Sequence, residues 1–471
     1  MAIKTIYIYH KMGRITLAIL IVLAAVPLYY LFLRSPPPLP AVDLEEWWGP
    51  KSLKSKQDIS IKPFKIIFED VMIKDLRDRL RDRHPLASPV EGIAFEYGFN
   101  SKQLEGWLRY WAEDYPFKER EELLNKYPQF KTNIQGLDIH FIRVTPQVPS
   151  GVEVVPLLLL HGWPGSVREF YEAIPLLTAV DKKRNFALEL IIPSLPGYGF
   201  SSAAVKPGLG ADKVAVICRN LMQRLGFKQY YIQGGDWGAI IASIMATLFP
   251  EEILGHHNNM PALFNPLVTL MTLVGAIYPP LIVNAEVQDR LYPMSEVYSN
   301  LMQETGYMHL QATKPDTIGV ALADSPAGLA AYILEKFSTW TNKQYRNKAD
   351  GGLTTSFSKD QLLDNIMIYW STNSITTSCR LYAETFNKRV MGLGLDEIPT
   401  KVPTSIIQAK YELSYTPVWA LKFKYLNLIN ETILSSGGHF LAMELPEIFA
   451  TDVLQAIKSF RDFHKNKKTE L

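Results

Sequence analysis

The chain has 471 residues, of which 47% are hydrophobic and 20% are charged. This is an ordinary globular composition, which excludes a mainly disordered or collagen-like chain. The 49 basic and 47 acidic residues give a net charge of +2, so we do not expect nucleic acid as a partner. The only two cysteines are Cys218 and Cys379, which excludes a disulfide-rich scaffold and any four-cysteine metal site.

An uncharged stretch between Arg14 and Arg34 predicts a membrane anchor. Residues 15–33 carry no charge, and a helix of that length reaches about 28 Å, close to the thickness of a bilayer's hydrocarbon core. A cleaved signal peptide is the alternative, but its apolar region is usually shorter, and no clear cleavage site precedes the prolines at 36–38. We therefore expect residues 1–40 to form a single-pass anchor and a proline linker.

The rest of the chain divides by pattern into four segments. Residues 41–145 contain amphipathic stretches rich in tryptophan, and we expect a helical segment that wraps onto a larger core. In residues 146–267, apolar runs end in glycine-rich turns and alternate with helices, which predicts an α/β core with a mostly parallel sheet. Residues 268–400 lose this rhythm and predict a helical cap, after which residues 401–471 resume the core.

The periodicity of apolar residues predicts the individual strands and helices. Because ligands of parallel α/β sheets bind at the carboxyl ends of the strands, the turns that follow these strands should lie together. The predicted strands, in chain order, are 137–144, 154–160, 188–192, 230–233, 404–409 and 432–434. The predicted helices are 71–83, 101–115, 240–248, 325–340, 359–370 and 445–463.

The sequence Gly234-Gly-Asp-Trp-Gly238 has the spacing of a nucleophile elbow, in which glycines let a strand turn sharply into a helix. The residue forced outwards is Asp236, where serine is more usual, and the N–H groups of the following helix would keep its carboxylate ionised. The alternative is that Asp236 is only a helix N-cap.

A second motif, His161-Gly-Trp-Pro-Gly165, follows an earlier strand. In hydrolases built this way, that loop and the residue after the nucleophile each supply a backbone N–H to an oxyanion hole. Here those N–H groups would belong to Trp163 and Trp237, whereas we expect His161, like His140 in an earlier strand, to be structural.

A catalytic histidine and its acid partner should follow the nucleophile, with the acid first. His439 comes after Ser435-Ser-Gly-Gly438, behind a late strand, and is the candidate base. Glu412 follows another late strand and is the candidate carboxylate that holds the imidazole tautomer. The alternatives are His256 and His257 for the base, and Asp396, Glu397 and Glu431 for the acid.

Together these motifs resemble the microsomal-type epoxide hydrolases, and in particular the insect juvenile hormone branch of that family. The resemblance covers nearly the whole chain, and its most specific part is the run from Lys314 to Trp340. It implies an α/β-hydrolase fold with a mostly parallel sheet, a helical cap insertion, an amino-terminal wrapping segment and one transmembrane helix. It also implies a protein of the endoplasmic reticulum (microsomal) membrane that needs no cofactor and no metal.

The resemblance implies hydrolysis of epoxides to vicinal diols through a covalent aspartyl ester, with juvenile hormone (terpenoid) epoxides and xenobiotic epoxides as the two candidate substrate classes. The partners would be a small hydrophobic epoxide, water and the membrane. Such an ester keeps a carbonyl that water can attack, whereas a serine nucleophile would leave an ether. The implied residues are Asp236 as nucleophile, His439 as base, Glu412 as acid partner, and Tyr307 and Tyr382 as donors to the epoxide oxygen, with Tyr369 as the alternative to Tyr382.

Two other functions fit parts of the same pattern. A haloalkane dehalogenase also uses an aspartate in this elbow, but it would need an indole cradle for halide in the place of the tyrosines. A membrane-tethered binding protein on an inactive hydrolase scaffold would have no need for the complete set of Asp236, Glu412, His439 and the tyrosines.

Overall fold

The computed structural model describes residues 34–181, 184–263 and 265–469, together with residues 25 and 29. The predicted anchor at residues 15–33 therefore lies almost wholly outside the described residues. Among the described residues, no single helix is long and apolar enough to cross a membrane, and only one pair of consecutive helices, bent by 116° between them, meets those criteria jointly.

A nine-stranded sheet forms the centre of the molecule. Its strands are β1 (Lys62–Phe64), β2 (Gln129–Ile134), β3 (Leu137–Val144), β4 (Glu153–Leu160), β5 (Phe186–Pro193), β6 (Tyr230–Gly234), β7 (Ile253–Asn258), β8 (Thr404–Gln408) and β9 (Leu428–Ile433). Their spatial order is β1-β2-β3-β5-β4-β6-β7-β8-β9. The pairings from β1 to β5 are antiparallel, and all pairings from β5 to β9 are parallel. The prediction of a mostly parallel sheet is confirmed.

Helices cover both faces of the sheet, so β5 and β6 are buried at every position. The helices are α1 (Asp70–Arg81), α2 (Ser101–Glu113), α3 (Phe117–Leu124), α4 (Ile174–Thr178), α5 (Ala211–Arg224), α6 (Trp237–Leu248), α7 (Pro266–Gly275), α8 (Met294–Glu304), α9 (Gly306–Thr313), α10 (Pro315–Asp324), α11 (Pro326–Thr339), α12 (Leu353–Ser356), α13 (Lys359–Thr372), α14 (Ile375–Thr385), α15 (Lys388–Met391), α16 (Val418–Lys424), α17 (Leu441–Glu444) and α18 (Pro446–Thr469). Short 3₁₀ helices span Lys51–Lys56, Val167–Phe170, Pro279–Leu281, Ala285–Arg290, Lys343–Asn347 and Leu395–Glu397. The helices α7 to α15 all lie between β7 and β8, where the sequence predicts a helical cap.

The amino-terminal segment is not purely helical, in contrast to its prediction, because β1 and β2 add two antiparallel strands to the sheet. The polar residues of β2 hide it from an apolar periodicity search. One of them, Gln129, is buried and its Oε1 lies 2.8 Å from Nε2 of His140 on β3. The other ring nitrogen of His140 lies 2.9 Å from the hydroxyl of Ser194, so this histidine is a packed part of the sheet.

A buried carboxylate joins the amino-terminal segment, the core and the cap. Asp364 on α13 has no exposed surface and accepts hydrogen bonds from the guanidinium groups of Arg120 and Arg168 and from the Tyr115 hydroxyl. Arg168 follows the turn that contains Trp163, and the N···O distance of its bond to Asp364 is 2.8 Å. Because a buried charge is stable only when it is paired, this cluster fixes the amino-terminal segment, the core and the cap relative to one another.

We expect Asp364→Asn to lower the free energy of unfolding by about 3 kcal/mol, because it leaves the buried guanidinium of Arg168 without one of its two carboxylates. Urea unfolding followed by circular dichroism measures the change. The matched control is Asp316→Asn, which breaks an exposed ion pair with Arg380 and should cost less than about 1 kcal/mol. Equal costs for the two variants would contradict the role of Asp364 in joining the parts.

Candidate active site

The elbow between β6 and α6 holds Asp236 in a strained conformation, with φ +49° and ψ −126°. Glycines surround it because the backbones approach closely. A Cβ on Gly234 would lie 2.1 Å from the carbonyl oxygen of Gly238, and a Cβ on Gly238 would lie 2.0 Å from that of Leu160. Asp236 occupies the N-cap position of α6, yet its side chain makes no capping hydrogen bond. The alternative that Asp236 serves only as a cap is therefore wrong.

The carboxylate of Asp236 turns instead towards the loop after β4. Its Oδ1 accepts a hydrogen bond from the backbone N–H of Trp163 at 2.7 Å. Only glycine fits beside it, since a Cβ on Gly162 would lie 2.1 Å from Oδ1. Trp237, the other predicted oxyanion donor, begins α6 directly after Asp236. Among the described residues, the N–H of Trp237 makes no hydrogen bond with this carboxylate.

His439 and Glu412 meet Asp236 from the far end of the chain. Nδ1 of His439 lies 2.7 Å from Oε1 of Glu412, and Nε2 lies 3.4 Å from Oδ2 of Asp236. Burial alone would lower the pKa of His439, but the two carboxylates outweigh it and hold that pKa well above its ordinary value. The imidazole is thus fixed with one nitrogen on the acid and the other facing Asp236.

The loop that carries His439 is held on three sides. The His439 N–H donates to the carbonyl oxygen of Trp340 at the end of the cap helix α11, at 3.0 Å. Glu444 on α17 accepts the N–H groups of Gly438 and Phe440 at 2.8 and 2.9 Å, one on each of its carboxyl oxygens. Desolvation raises the pKa of Glu444 to about 8 in spite of these bonds. Nothing in the sequence distinguishes Glu444 from other glutamates, so it is not among the predicted site residues.

The cap supplies both predicted tyrosines. The ring of Tyr307, on α9, stacks on Trp163 with centroids 5.0 Å apart, and the ring of Tyr382, on α14, lies edge-on to Trp237 at 4.7 Å. The two tyrosine rings are 5.7 Å apart. The Tyr382 hydroxyl is buried, has no protein partner in good hydrogen-bond geometry, and lies close to the Tyr307 hydroxyl. Burial and the nearby charge of Asp236 raise the pKa of both phenols well above the ordinary value, so both remain protonated.

Tyr369, the alternative to Tyr382, is committed elsewhere, because its hydroxyl donates to the carbonyl oxygen of Gly165 at 2.6 Å. His161 is structural, as predicted. Its Nδ1 lies 3.0 Å from the Gly162 carbonyl oxygen, its Nε2 accepts the N–H of Leu195 at 3.1 Å, and burial lowers its pKa to about 4.

The remaining alternatives do not join the site. His256 and His257 are buried within β7, where Nε2 of His257 lies 2.9 Å from Oδ1 of Asp452. Glu397 pairs with Arg34, and Asp396 lies beside it in the same short helix. Glu431 accepts a hydrogen bond from the side chain of Gln408 on the neighbouring strand. Within the described ranges of the chain, no group of three or more His, Cys, Asp or Glu side chains is arranged to hold a metal ion.

The sheet and the elbow, with a histidine–glutamate pair facing the elbow aspartate, define an α/β hydrolase that has aspartate at the nucleophile position. Comparison with known proteins agrees with this class. A family profile described as "alpha/beta hydrolase fold" matches residues 155–395, and one described as "Epoxide hydrolase N terminus" matches residues 61–170.

The chain belongs to the epoxide hydrolase family. It is 65% identical to the juvenile hormone epoxide hydrolase of Bombyx mori over 96% of this chain and 98% of that protein. It is 47% identical to epoxide hydrolase 1 of Oryctolagus cuniculus over 87% of this chain and 92% of that protein. The resemblance noted in the sequence is confirmed.

Two solved structures extend the comparison. The crystal structure of the juvenile hormone epoxide hydrolase from Bombyx mori superposes with a TM-score of 0.89 at 65% identity, covering 90% of this chain and 100% of that one. The epoxide hydrolase of Aspergillus niger superposes with a TM-score of 0.72 at 27% identity, covering 86% of this chain and 98% of that one. The α/β-hydrolase fold is therefore shared along most of the chain.

Proposed function

We propose that this protein hydrolyses epoxides to vicinal diols through a covalent ester on Asp236. One observation carries the proposal: the carboxylate of Asp236 lies between the N–H of Trp163 and the imidazole of His439, with two phenol groups nearby. The family relationship supports the same reaction, since the relatives at 65% and 47% identity are named as epoxide hydrolases.

In the first step, Oδ2 of Asp236 attacks one epoxide carbon while Oδ1 stays on the N–H of Trp163. The ring C–O bond breaks, and its electron pair remains on the epoxide oxygen. That oxygen takes a proton from Tyr307 or Tyr382, whose buried hydroxyls are protonated at neutral pH. The products are a hydroxyalkyl ester and a transient phenolate.

In the second step, water attacks Cγ of the Asp236 ester and passes a proton to Nε2 of His439. The N–H of Trp163 stabilises the oxyanion that forms on Oδ1. When the intermediate collapses, the diol oxygen leaves with the proton from His439, and the proton that remains on the carboxyl group returns to His439. Glu412 keeps the imidazole oriented and balances its charge.

The charge balance of the site orders these two steps. Two carboxylates raise the pKa of His439 in the free enzyme, so the imidazole is protonated when the substrate binds. Alkylation removes the negative charge of Asp236, and with it one of the two causes of the raised pKa. His439 therefore loses its proton more readily in the ester than in the free enzyme. The phenolate left by the first step takes that proton, which restores the phenol and leaves the imidazole neutral at the stage where a base is needed.

We propose a terpenoid epoxide of the juvenile hormone type as the substrate. Relatives named as juvenile hormone epoxide hydrolases occur in Bombyx mori, Ctenocephalides felis and Manduca sexta, at 48% identity or more. The cluster of aromatic rings that includes Trp163, Trp237, Trp340 and Tyr307 suits an apolar chain. Epoxides of xenobiotics are the second candidate class, because epoxide hydrolase 1 proteins are also relatives.

We expect Asp236→Ala to lower diol formation by roughly 10⁴-fold or more, because no carboxylate remains to form the ester. Diol assay by mass spectrometry measures the loss. In the unchanged enzyme, a single turnover in oxygen-18 water should label Asp236 and leave the diol unlabelled. The matched control is Asp452→Ala, which removes an aspartate paired with His257 away from the site and should keep turnover. Label in the diol after one turnover would exclude the ester.

We expect Tyr307→Phe and Tyr382→Phe each to slow ester formation by roughly 10²-fold, because each removes one donor to the developing alkoxide. Rapid-mixing kinetics with tryptophan fluorescence measures this step, since Trp163 and Trp237 touch the two tyrosines. Tyr332→Phe is the control: its ring also packs on Trp163, but its hydroxyl lies 3.4 Å from the side chain of Gln311. If these variants slowed only ester hydrolysis, neither tyrosine would be the donor to the epoxide oxygen during ester formation.

We further propose that residues 15–33 tether the protein to the membrane of the endoplasmic reticulum. The uncharged run supports this, together with the ion pair that Arg34, directly after it, forms with Glu397 on the body. Removal of residues 1–33 should shift the protein from the membrane pellet to the supernatant and keep epoxide turnover, with the full chain as control. A truncated protein that stays in the pellet would contradict the tether.

A further inference from the structure

Glu169 is a buried carboxyl group that the mechanism above does not use. It lies in the 3₁₀ helix Val167–Phe170, four residues after Gly165 in the loop that holds Asp236, and it is 9% exposed. In the described part of the chain, its carboxyl oxygens make no hydrogen bond and no ion pair. Burying a carboxyl group without a protein partner costs free energy, so such a group is expected to serve a function or to bind a water molecule.

The carboxyl group of Glu169 folds back against the Trp163 loop. A Cβ on Gly165 would lie 2.9 Å from its Oε2, so glycine at that position leaves room for the group. The loop itself is rigid on this side, because the carbonyl oxygens of Pro164 and Gly165 accept hydrogen bonds from Asn365 and Tyr369 at 2.7 and 2.6 Å.

The charged groups of the second step also act electrostatically on Glu169. Burial is the largest cause of its raised pKa of about 8; His439 lowers that value, and Asp236 and Glu412 raise it. The group is thus protonated at neutral pH and within electrostatic reach of all three. The helix α17, which follows His439, packs against the 3₁₀ helix that carries Glu169.

We propose that Glu169 is a further catalytic residue, whose carboxyl group binds the water molecule that attacks the Asp236 ester. This rests on the proposed function. The water has two O–H groups: one donates to Nε2 of His439, and the other donates to the carbonyl oxygen of the neutral Glu169. Its lone pair is then free to attack Cγ of the ester. No proton passes to Glu169, so the neutral form is the one that serves.

The neutral state of the Glu169 carboxyl group distinguishes its role from that of Glu412. A third carboxylate beside Asp236 and Glu412 would repel the oxyanion of the second step, whereas a neutral carbonyl oxygen orients the water without that cost. Because only the carbonyl oxygen is needed, glutamine should replace Glu169 in function. An apolar side chain of similar size should not, because the water would lose one of its two fixed partners.

The experiment compares Glu169→Gln and Glu169→Leu in the full chain, with rapid mixing to separate ester formation from ester hydrolysis. A terpenoid epoxide is the probe. We expect Glu169→Gln to hydrolyse the ester within about 3-fold of the unchanged enzyme, and Glu169→Leu to do so roughly 10²-fold more slowly. Ester formation should be unchanged in both, so intact-mass spectrometry should show the adduct accumulating in Glu169→Leu.

Two further variants keep the test decisive if Glu169→Leu fails to fold. Gly165→Ala should push the carboxyl group aside and slow the same step, and adding Glu169→Gln to it should not restore the rate. Glu172→Gln, which alters an ion pair of Arg168 three residues along, should leave the ratio of the two steps unchanged.

Equal hydrolysis rates in Glu169→Leu and the unchanged enzyme would overturn the inference. Equal slowing of both steps in Glu169→Gln and Glu169→Leu would also overturn it, because it would indicate a packing role. Absence of an ester in the unchanged enzyme itself would overturn the proposed function rather than this inference alone.

Discussion

The site depends on one contact, the hydrogen bond from the N–H of Trp163 to Oδ1 of Asp236. It requires two loops from neighbouring parallel strands to approach within hydrogen-bond distance, since Leu160 at the end of β4 pairs with Gly234 at the end of β6. This approach requires glycine at position 162, because any side chain there would overlap the carboxylate of Asp236. The contact orients one carboxylate oxygen towards the protein and leaves the other for the substrate.

The second half of the site is held by the cap as well as by the core. His439 comes from the core, but its N–H is bound by the carbonyl oxygen of Trp340 at the end of a cap helix, and its ring packs edge-on against the Trp340 ring at 4.9 Å. The cap thus sets the position of the base as well as that of Tyr307 and Tyr382. A change in cap position would disturb both half-reactions together.

Four carboxyl groups lie around this one imidazole, and their environments differ. Asp236 and Glu412 lie directly against the ring of His439 and raise its pKa. Burial raises the pKa of Glu169, and desolvation raises that of Glu444, each to about 8, so the local negative charge stays limited. Glu444 binds the backbone of the loop, and Glu169 lies against Gly165 in the loop after β4. The same residue type therefore fills different roles through differences in solvation and hydrogen bonding.

Several features of the fold and the site are predicted by local sequence pattern alone. The parallel strands are recognisable as apolar runs, because both of their faces are covered. The elbow is recognisable by the spacing of its glycines, because a larger residue at those positions would clash with neighbouring backbone atoms. The polar strand β2 escaped detection because Gln129 is satisfied by His140, a partner on another strand. The sequence leaves both Tyr382 and Tyr369 as candidates for the second donor to the epoxide oxygen. The structure distinguishes them, because the hydroxyl of Tyr369 donates to the carbonyl oxygen of Gly165.

The sequence by itself determined the strand–turn–helix order, the aspartate at the elbow and the histidine behind the last strand, because each depends on short-range geometry. Only the tertiary structure decided that Glu412 reaches His439, that Glu444 holds its loop, and that Glu169 is buried against Gly165. Those contacts join residues from separate elements, and burial changes the protonation of their carboxyl groups. Neither effect can be read from neighbours along the chain.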